Sequence, residues 1–177
     1  MKATNLGTYS PEEFSIILSL PNGFVHQVSG YAEGTFINIT RQIPQAESVI
    51  SPDGSAARVM RSNTFTHFDL TLYNYSQSRD VLKALMERDN SFKDYRGLFT
   101  ILAKDNTGRS WWYSDQAYIG EDGEASFSET MEAQTWTIAA HNVKSHQGGN
   151  SILDNSTYEA LIELGVSPDT IGERWIP

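Results

Sequence analysis

Apolar and polar residues alternate along much of this chain with a period of two. In residues 14–20, Phe14, Ile16, Leu18 and Leu20 fall on one side and Ser15, Ile17 and Ser19 on the other, the pattern of a half-buried strand. Pro21-Asn22-Gly23 follows, and Asn-Gly between apolar runs marks a hairpin because both residues tolerate a positive φ. The first two strands are therefore expected to pair. Residues 36–40 and 65–73 read as two more. Thr35, Ile37 and Ile39, with Phe68, Leu70 and Leu72, give the inward faces, while Asn38, Thr40, His67, Asp69 and Thr71 give polar ones. Residues 98–104 and 110–119 flank the turn Asp105-Asn106-Thr107-Gly108, and residues 135–142 make a last strand, seven in all.

Helical signals are fewer. Ser76 or Ser78 can cap a helix running to about Asp89, with Val81, Leu82, Leu85 and Met86 on one face and Arg79, Lys83 and Arg88 on the other. Ser156-Thr157-Tyr158-Glu159 has capping-box spacing, which predicts a short helix to Leu164 that stops at Gly165, with Pro168 beyond. Ser10-Pro11-Glu12-Glu13 has the same spacing with proline first, so one helical turn is expected before the first strand. Residues 41–62 form a 22-residue connection between two strands. Loops beyond about 12–15 residues in compact domains are functional or disordered, and Ile43, Val49 and Ile50, beside Pro44 and Pro52, argue for docking. Arg41, Arg58 and Arg61 against Glu47 and Asp53 leave the loop slightly basic, so it is expected to dock on an acidic surface of another copy.

Composition narrows the classes. The chain has 177 residues, 39% of them hydrophobic, enough to fold as one domain without disulfide or metal. It has no cysteine, which removes thiolate catalysis, zinc ribbons and iron–sulfur clusters without fixing a compartment. No signal peptide or membrane span is read. Thirteen basic against 22 acidic residues give a net charge of −9, which argues against a protein that wraps nucleic acid.

Chemistry-bearing patterns are weak. Neither glycine-rich phosphate loop occurs. His141 and His146 lack ligand spacing and read as surface histidines. His67 and Asp69 share a strand face about 7 Å apart, but no nucleophile elbow accompanies them. Glu121, Asp122, Glu124, Glu129 and Glu132 could suit a glycosidase or calcium site, yet such a run reads first as a solvated surface. Trp111-Trp112-Tyr113 could form the recognition surface of a carbohydrate- or protein-binding β-sandwich, the alternative function, although strand tryptophans more often serve packing. The sequons at Asn38, Asn74 and Asn155 are set aside. No catalytic residue, metal or cofactor is expected.

The order of fragments resembles the inner tail-tube proteins of contractile-tailed bacteriophages, relatives of tailocin and type VI secretion tubes. The resemblance spans roughly residues 9–142. It rests on Tyr9-Ser10-Pro11-Glu12-Glu13-Phe14 and on Gly30-Tyr31-Ala32-Glu33-Gly34-Thr35-Phe36-Ile37-Asn38-Ile39 ahead of the long loop. Leu70-Thr71-Leu72, Ser76-Gln77-Ser78, Leu82 and Leu85 continue it, followed by Phe99-Thr100-Ile101, Asp105-Asn106-Thr107-Gly108, Ala117-Tyr118-Ile119 and Trp136-Thr137-Ile138. It implies a mainly β fold with one flanking helix, two packed antiparallel sheets forming a tail-tube-type β-barrel subunit, assembled as hexameric rings stacked into a channel for double-stranded DNA. By the same analogy, loop 41–62, with Arg41, Ile43, Pro44, Glu47, Val49, Ile50, Asp53, Arg58 and Arg61, stacks ring on ring, and Asn38, Thr40, His67, Asp69 and Thr71 face the lumen. Tail sheath, baseplate and tape-measure proteins are the implied partners. The virion tail is the implied location after assembly in the host cytoplasm, with no membrane anchor. Residues 1–142 make the tube-like domain and 143–177 a C-terminal extension with a short helix.

Overall fold

The computed structural model describes residues 6–176. Ten strands are present among the described residues: β1 (Phe14–Ser19), β2 (Val25–Gln27), β3 (Ile37–Arg41), β4 (Ala46–Ile50), β5 (Ala56–Met60), β6 (Thr66–Tyr73), β7 (Phe99–Asp105), β8 (Trp111–Glu121), β9 (Ala133–His141) and β10 (Lys144–His146). Three α-helices accompany them: α1 (Ser78–Phe92), α2 (Asn155–Glu163) and α3 (Pro168–Ile171). Eight strands form one sheet in the order β2-β1-β7-β8-β9-β6-β3, with β10 paired to β8, and β4 and β5 form a separate two-stranded sheet. The fold is mainly β with antiparallel sheets, the class expected. All seven expected strands occur, and β4, β5 and β10 are additional.

The chain divides into two compact units. Of the described residues, one unit comprises 6–16, Leu102–Trp112 and 145–176; the other comprises Ile17–Ile101 and Tyr113–Lys144. In the larger unit, β6 alternates without a fault: Thr66, Phe68, Leu70 and Leu72 are buried and the residues between them half-exposed. The register sets Trp136, Ile138 and Ala140 of β9 opposite Leu70, Phe68 and Thr66, and Ala117 and Ile119 of β8 opposite Ala140 and Ile138. Residues directly opposite share a face, so these side chains make one apolar layer, to which α1 adds Leu82 and Leu85. The turn between β1 and β2 forms as expected: Gly23 takes φ 93 and the Asn22 carboxamide accepts from Phe24 N at 3.1 Å.

The start of α1 departs from expectation. Gln77 is its N-cap and makes no side-chain cap bond, whereas Ser78 lies buried as the first helical residue. Its hydroxyl accepts from Ser29 N at 2.9 Å and lies 2.9 Å from His26 Nε2. Ser76 Oγ accepts from Ser78 N at 3.2 Å. The helix also runs past Asp89 to Phe92, whose ring is covered by the Arg88 and Arg96 guanidinium groups at 4.9 and 4.7 Å.

The connection over residues 41–62 is not a structureless loop, because β4 and β5 pair in register from Ala46↔Met60 to Ile50↔Ala56. Ser51 N donates to Ser55 O at 2.8 Å to close it, and Gly54 takes φ 85. Every residue of both strands is exposed. Alternation reveals a strand only when one of its faces is buried, and here neither is.

In the smaller unit, Phe14, Ile16, Ala103, Leu153 and Ile171 are buried, and a 3-10 turn at Pro11–Glu13 precedes β1. Asp105 is buried in its turn and accepts from Thr107 N and Oγ1 and from Asn150 Nδ2. Arg109 donates to Ser151 O at 2.5 Å. Its guanidinium lies 5.3 Å from the centre of the Trp175 ring, which Arg174 also approaches at 5.0 Å. Burial pulls Arg109 below its usual pKa. Asp154, not Ser156, caps α2, accepting from Thr157 N at 2.7 Å. Ser156 already has helical geometry and donates to Asp154 Oδ1 instead. The chain leaves the helix at Gly165, φ 86, and Pro168 opens α3.

Candidate assembly surfaces

Beneath the apolar layer of the larger unit, the same strands present a polar face. The register places Asn38 opposite Asp69 and Thr40 opposite His67, then Asp69 opposite Thr137 and Thr71 opposite Thr135. The five residues expected to share a polar face, Asn38, Thr40, His67, Asp69 and Thr71, therefore do so. The face continues through Ala139 to Tyr118 and through His141 to Gln116, and a bulge between Ile119 and Glu121 sets Glu121 opposite Thr137.

Much of this face is tied to itself. Thr71 and Thr135 hydroxyls lie 3.0 Å apart. Thr137 donates to Asp69 Oδ1 at 2.8 Å, and His141 Nδ1 lies 3.2 Å from Gln116 Oε1. The Phe65 ring gathers His67, His141 and Tyr118 at 5.7, 6.2 and 6.4 Å. Asp69 and Glu121 are the acids of the pairs on this face, which include no lysine or arginine; Arg41, opposite Thr66, belongs to the other face. The β8 and β9 members were missed from sequence. Thr135 and Thr137 alternate with Trp136 and Ile138 and were the available signal; Ala139-Ala140 and the bulge at Gly120 blur the rest.

The hairpin β4–β5 is the second surface. Gln45, Glu47, Val49, Ala57, Val59 and Arg61 belong to one side; Ala46, Ser48, Ile50, Ala56, Arg58 and Met60 belong to the other. Each side mixes apolar residues with charge, Glu47 and Arg61 on the first and Arg58 on the second. Val49 is 50% exposed, Ile50 72%, Val59 45% and Met60 53%, which makes this the largest concentration of bare aliphatic side chains among the described strands. Its cations are partly used: Arg61 pairs with Glu47 at 2.6 Å and Arg41 donates to Asn63 O at 2.8 Å. At the tip, Asp53 Oδ1 accepts from Ser55 N and Oγ, bonds that hold its carboxyl below the usual pKa. Ile43 and Pro44 lead into β4. The sheet from which the hairpin departs ends at β3, so this strand has a free edge.

The remaining candidates do not converge. Asp122 is held by Lys83 at 3.0 Å, which lowers its pKa, and Glu132 accepts from Ser128 at 2.5 Å, while the rest of the acidic run is spread along an exposed segment. No cluster of three metal-ligating side chains occurs among the described residues. Trp111 and Trp112 are half-buried, with Tyr113 38% exposed. A cleft of about 410 Å³ lies beside Arg79, Lys83, Asp122, Gln134 and Trp136. Arg79 donates to Asn74 Oδ1 and to Gln134 Oε1, so its polar lining bonds mainly to itself. Among the described residues, no helix is long and apolar enough to cross a membrane.

The described residues thus form a mainly β structure with one polar sheet face and a hairpin exposed on both sides. The structure aligns with the tube-terminating cap of the anti-feeding prophage at a TM-score of 0.50, with 13% identity over 83% of this chain and 96% of that one. It aligns with a chain of the same particle's six-fold symmetrised baseplate at a TM-score of 0.50 and 8% identity, over 81% and 97%. The shared property is the fold. In sequence, the chain is 31% identical over 175 residues to structural protein ORF10 of Pseudomonas phage KPP10, covering 98% of this chain and 99% of that protein. The chain belongs to that family of phage structural proteins. No protein-family model matches it.

Proposed function

We propose that the chain is a non-enzymatic subunit of a contractile phage tail's inner tube, forming hexameric rings that stack into a channel for double-stranded DNA. The observation that carries this reading is the β4–β5 hairpin. An isolated two-stranded ribbon is marginal in water, and this one exposes Val49, Ile50, Val59 and Met60. A second copy in a neighbouring ring would cover it, which gives Arg41, Ile43, Pro44, Glu47, Val49, Ile50, Asp53, Arg58 and Arg61 their stacking role. Ring closure would also remove the free edge of β3. The polar face of Asn38, Thr40, His67, Asp69 and Thr71 would then line the channel, where carboxylates without lysine or arginine let a phosphate backbone slide.

The relative's name, a phage structural protein, and the occurrence of the fold in a tube cap and a baseplate support assembly among tail components. Sheath, baseplate and tape-measure proteins are the partners this reading expects, in a virion tail assembled in the host cytoplasm. Residues 143–177 are then an addition to the tube-like part, 1–142. Negative-stain electron microscopy of the concentrated chain tests the reading. Rings or stacked tubes with a central hole are expected, and deletion of residues 45–55 should abolish stacking. A chain that stays monomeric at every concentration, or a deletion that leaves assembly unchanged, overturns it.

A further inference from the structure

The hairpin needs a receiving surface, and the larger unit offers one. Leu20, Phe24, Val81, Ala84, Leu85 and Arg88 enclose a groove of about 180 Å³ between the β1–β2 turn and helix α1. Its lining is apolar except for Arg88. An apolar cavity of about 150 Å³ holds a benzene, so the groove accommodates one branched aliphatic side chain. Leu85 is buried as its floor, while Ala84 and Phe24 are exposed at its edge.

The hairpin tip has the complementary order of chemistry. Ile50, 72% exposed, is the last paired residue of β4. Asp53 follows three residues later, and its Oδ2 makes no hydrogen bond among the described residues, both turn bonds going to Oδ1. The groove presents the converse, an apolar pit beside a cation. Arg88 stacks on Phe92 and forms no ion pair among the described residues, so the outer nitrogens of its guanidinium, beyond the buried Nε, are the ones that can meet a carboxylate. The geometry points to this groove as the receptor for the hairpin tip of a second copy, with Ile50 in the pit and Asp53 on Arg88. Knob and hole lie on different surfaces of one chain, so the contact is heterologous: each copy gives a tip and receives one, and the series is open-ended. This inference rests on the self-assembly reading above.

Ala84→Trp fills the groove from an exposed helix position, and Ile50→Asp removes the knob. Each should leave the thermal melt of the subunit unchanged and raise the concentration needed for assembly by roughly tenfold or more, the loss expected when an aliphatic side chain stays in water. Asp53→Arg should weaken assembly, and adding Arg88→Asp should restore it. Because the chain has no cysteine, Ile50→Cys/Ala84→Cys should give a ladder of disulfide-linked multimers on mild oxidation. Wild-type assembly by Ala84→Trp, or failure of Arg88→Asp to rescue Asp53→Arg, overturns the groove and leaves the tube reading standing. A wild-type chain that never assembles overturns both.

Discussion

Gly30 is the position where one added methyl group should be most informative. Its φ is +77, and an ideal Cβ there would lie 2.6 Å from Ser76 Cβ, 2.8 Å from Ser76 Oγ and 3.1 Å from Ser76 Cα. Ser76 cannot swing aside freely. Its hydroxyl donates to Ser29 O at 2.5 Å and accepts from Ser78 N at 3.2 Å, while Gly30 O accepts from Tyr73 N at 3.0 Å. Gly30→Ala therefore combines left-handed strain of about 1–2 kcal/mol with overpacking of about 1–3 kcal/mol. The total of about 2–5 kcal/mol corresponds to a fall in melting temperature of roughly 4–20 °C for a chain of this size. Gly23 supplies the control: its φ is +93, and a Cβ there meets nothing within 4 Å. Gly23→Ala should show the backbone component alone, roughly 2–8 °C. Thermal and urea denaturation of both variants measure the difference. Equal losses would refute the argument that Ser76 is held in place.

Three further outcomes follow from polar groups. Ser114 is fully buried, donates to His141 O at 2.6 Å and accepts from Gln116 N at 3.1 Å; Ser114→Ala should therefore cost about 1–3 kcal/mol in urea denaturation. Asp154→Ala should speed amide exchange across residues 155–163 by the loss of a cap of about 1 kcal/mol, whereas Ser156→Ala should change it far less. The Asp94 carboxylate accepts from Arg96 Nε and N, which holds its pKa below the usual 3.8. The stabilisation it gives is complete above that value and disappears as pH falls through the lower folded one, so Asp94→Asn should flatten the acid limb below about pH 4 and change little between pH 5 and 8.

How legible the fold is depends on whether each element has an inside. β1 and β6 alternate because one face of each is buried, and both could be read from the sequence. β4 and β5 have two wet faces, and their short apolar pairs, Val49-Ile50 and Val59-Met60, resemble docking residues on a loop. The polar face was half legible for a related reason: β3 and β6 announce it with Asn38, Thr40, His67, Asp69 and Thr71. On β8 and β9 a bulge and two small alanines interrupt the alternation, so Gln116, Tyr118 and His141 had to be found through register. The helix starts were readable to within a residue or two, because Ser156 and Asp154 can both supply a cap and only backbone geometry decides which is outside the helix, whereas α1 runs three residues past its expected end at Asp89. The groove beside α1 had no sequence signature, since Leu20 and Ala84 come together only through folding.

The pairing of Thr71 with Thr135 and of Thr137 with Asp69 has a consequence for how the sheet behaves toward anything that touches it. A polar surface adheres when its donors and acceptors are free to exchange water for a visitor. Where side chains already satisfy one another across strands, a passing molecule gains little by replacing those bonds, yet the surface stays too hydrophilic for apolar groups to settle on it. At these pairs the face is wettable yet has few free donors and acceptors left to exchange.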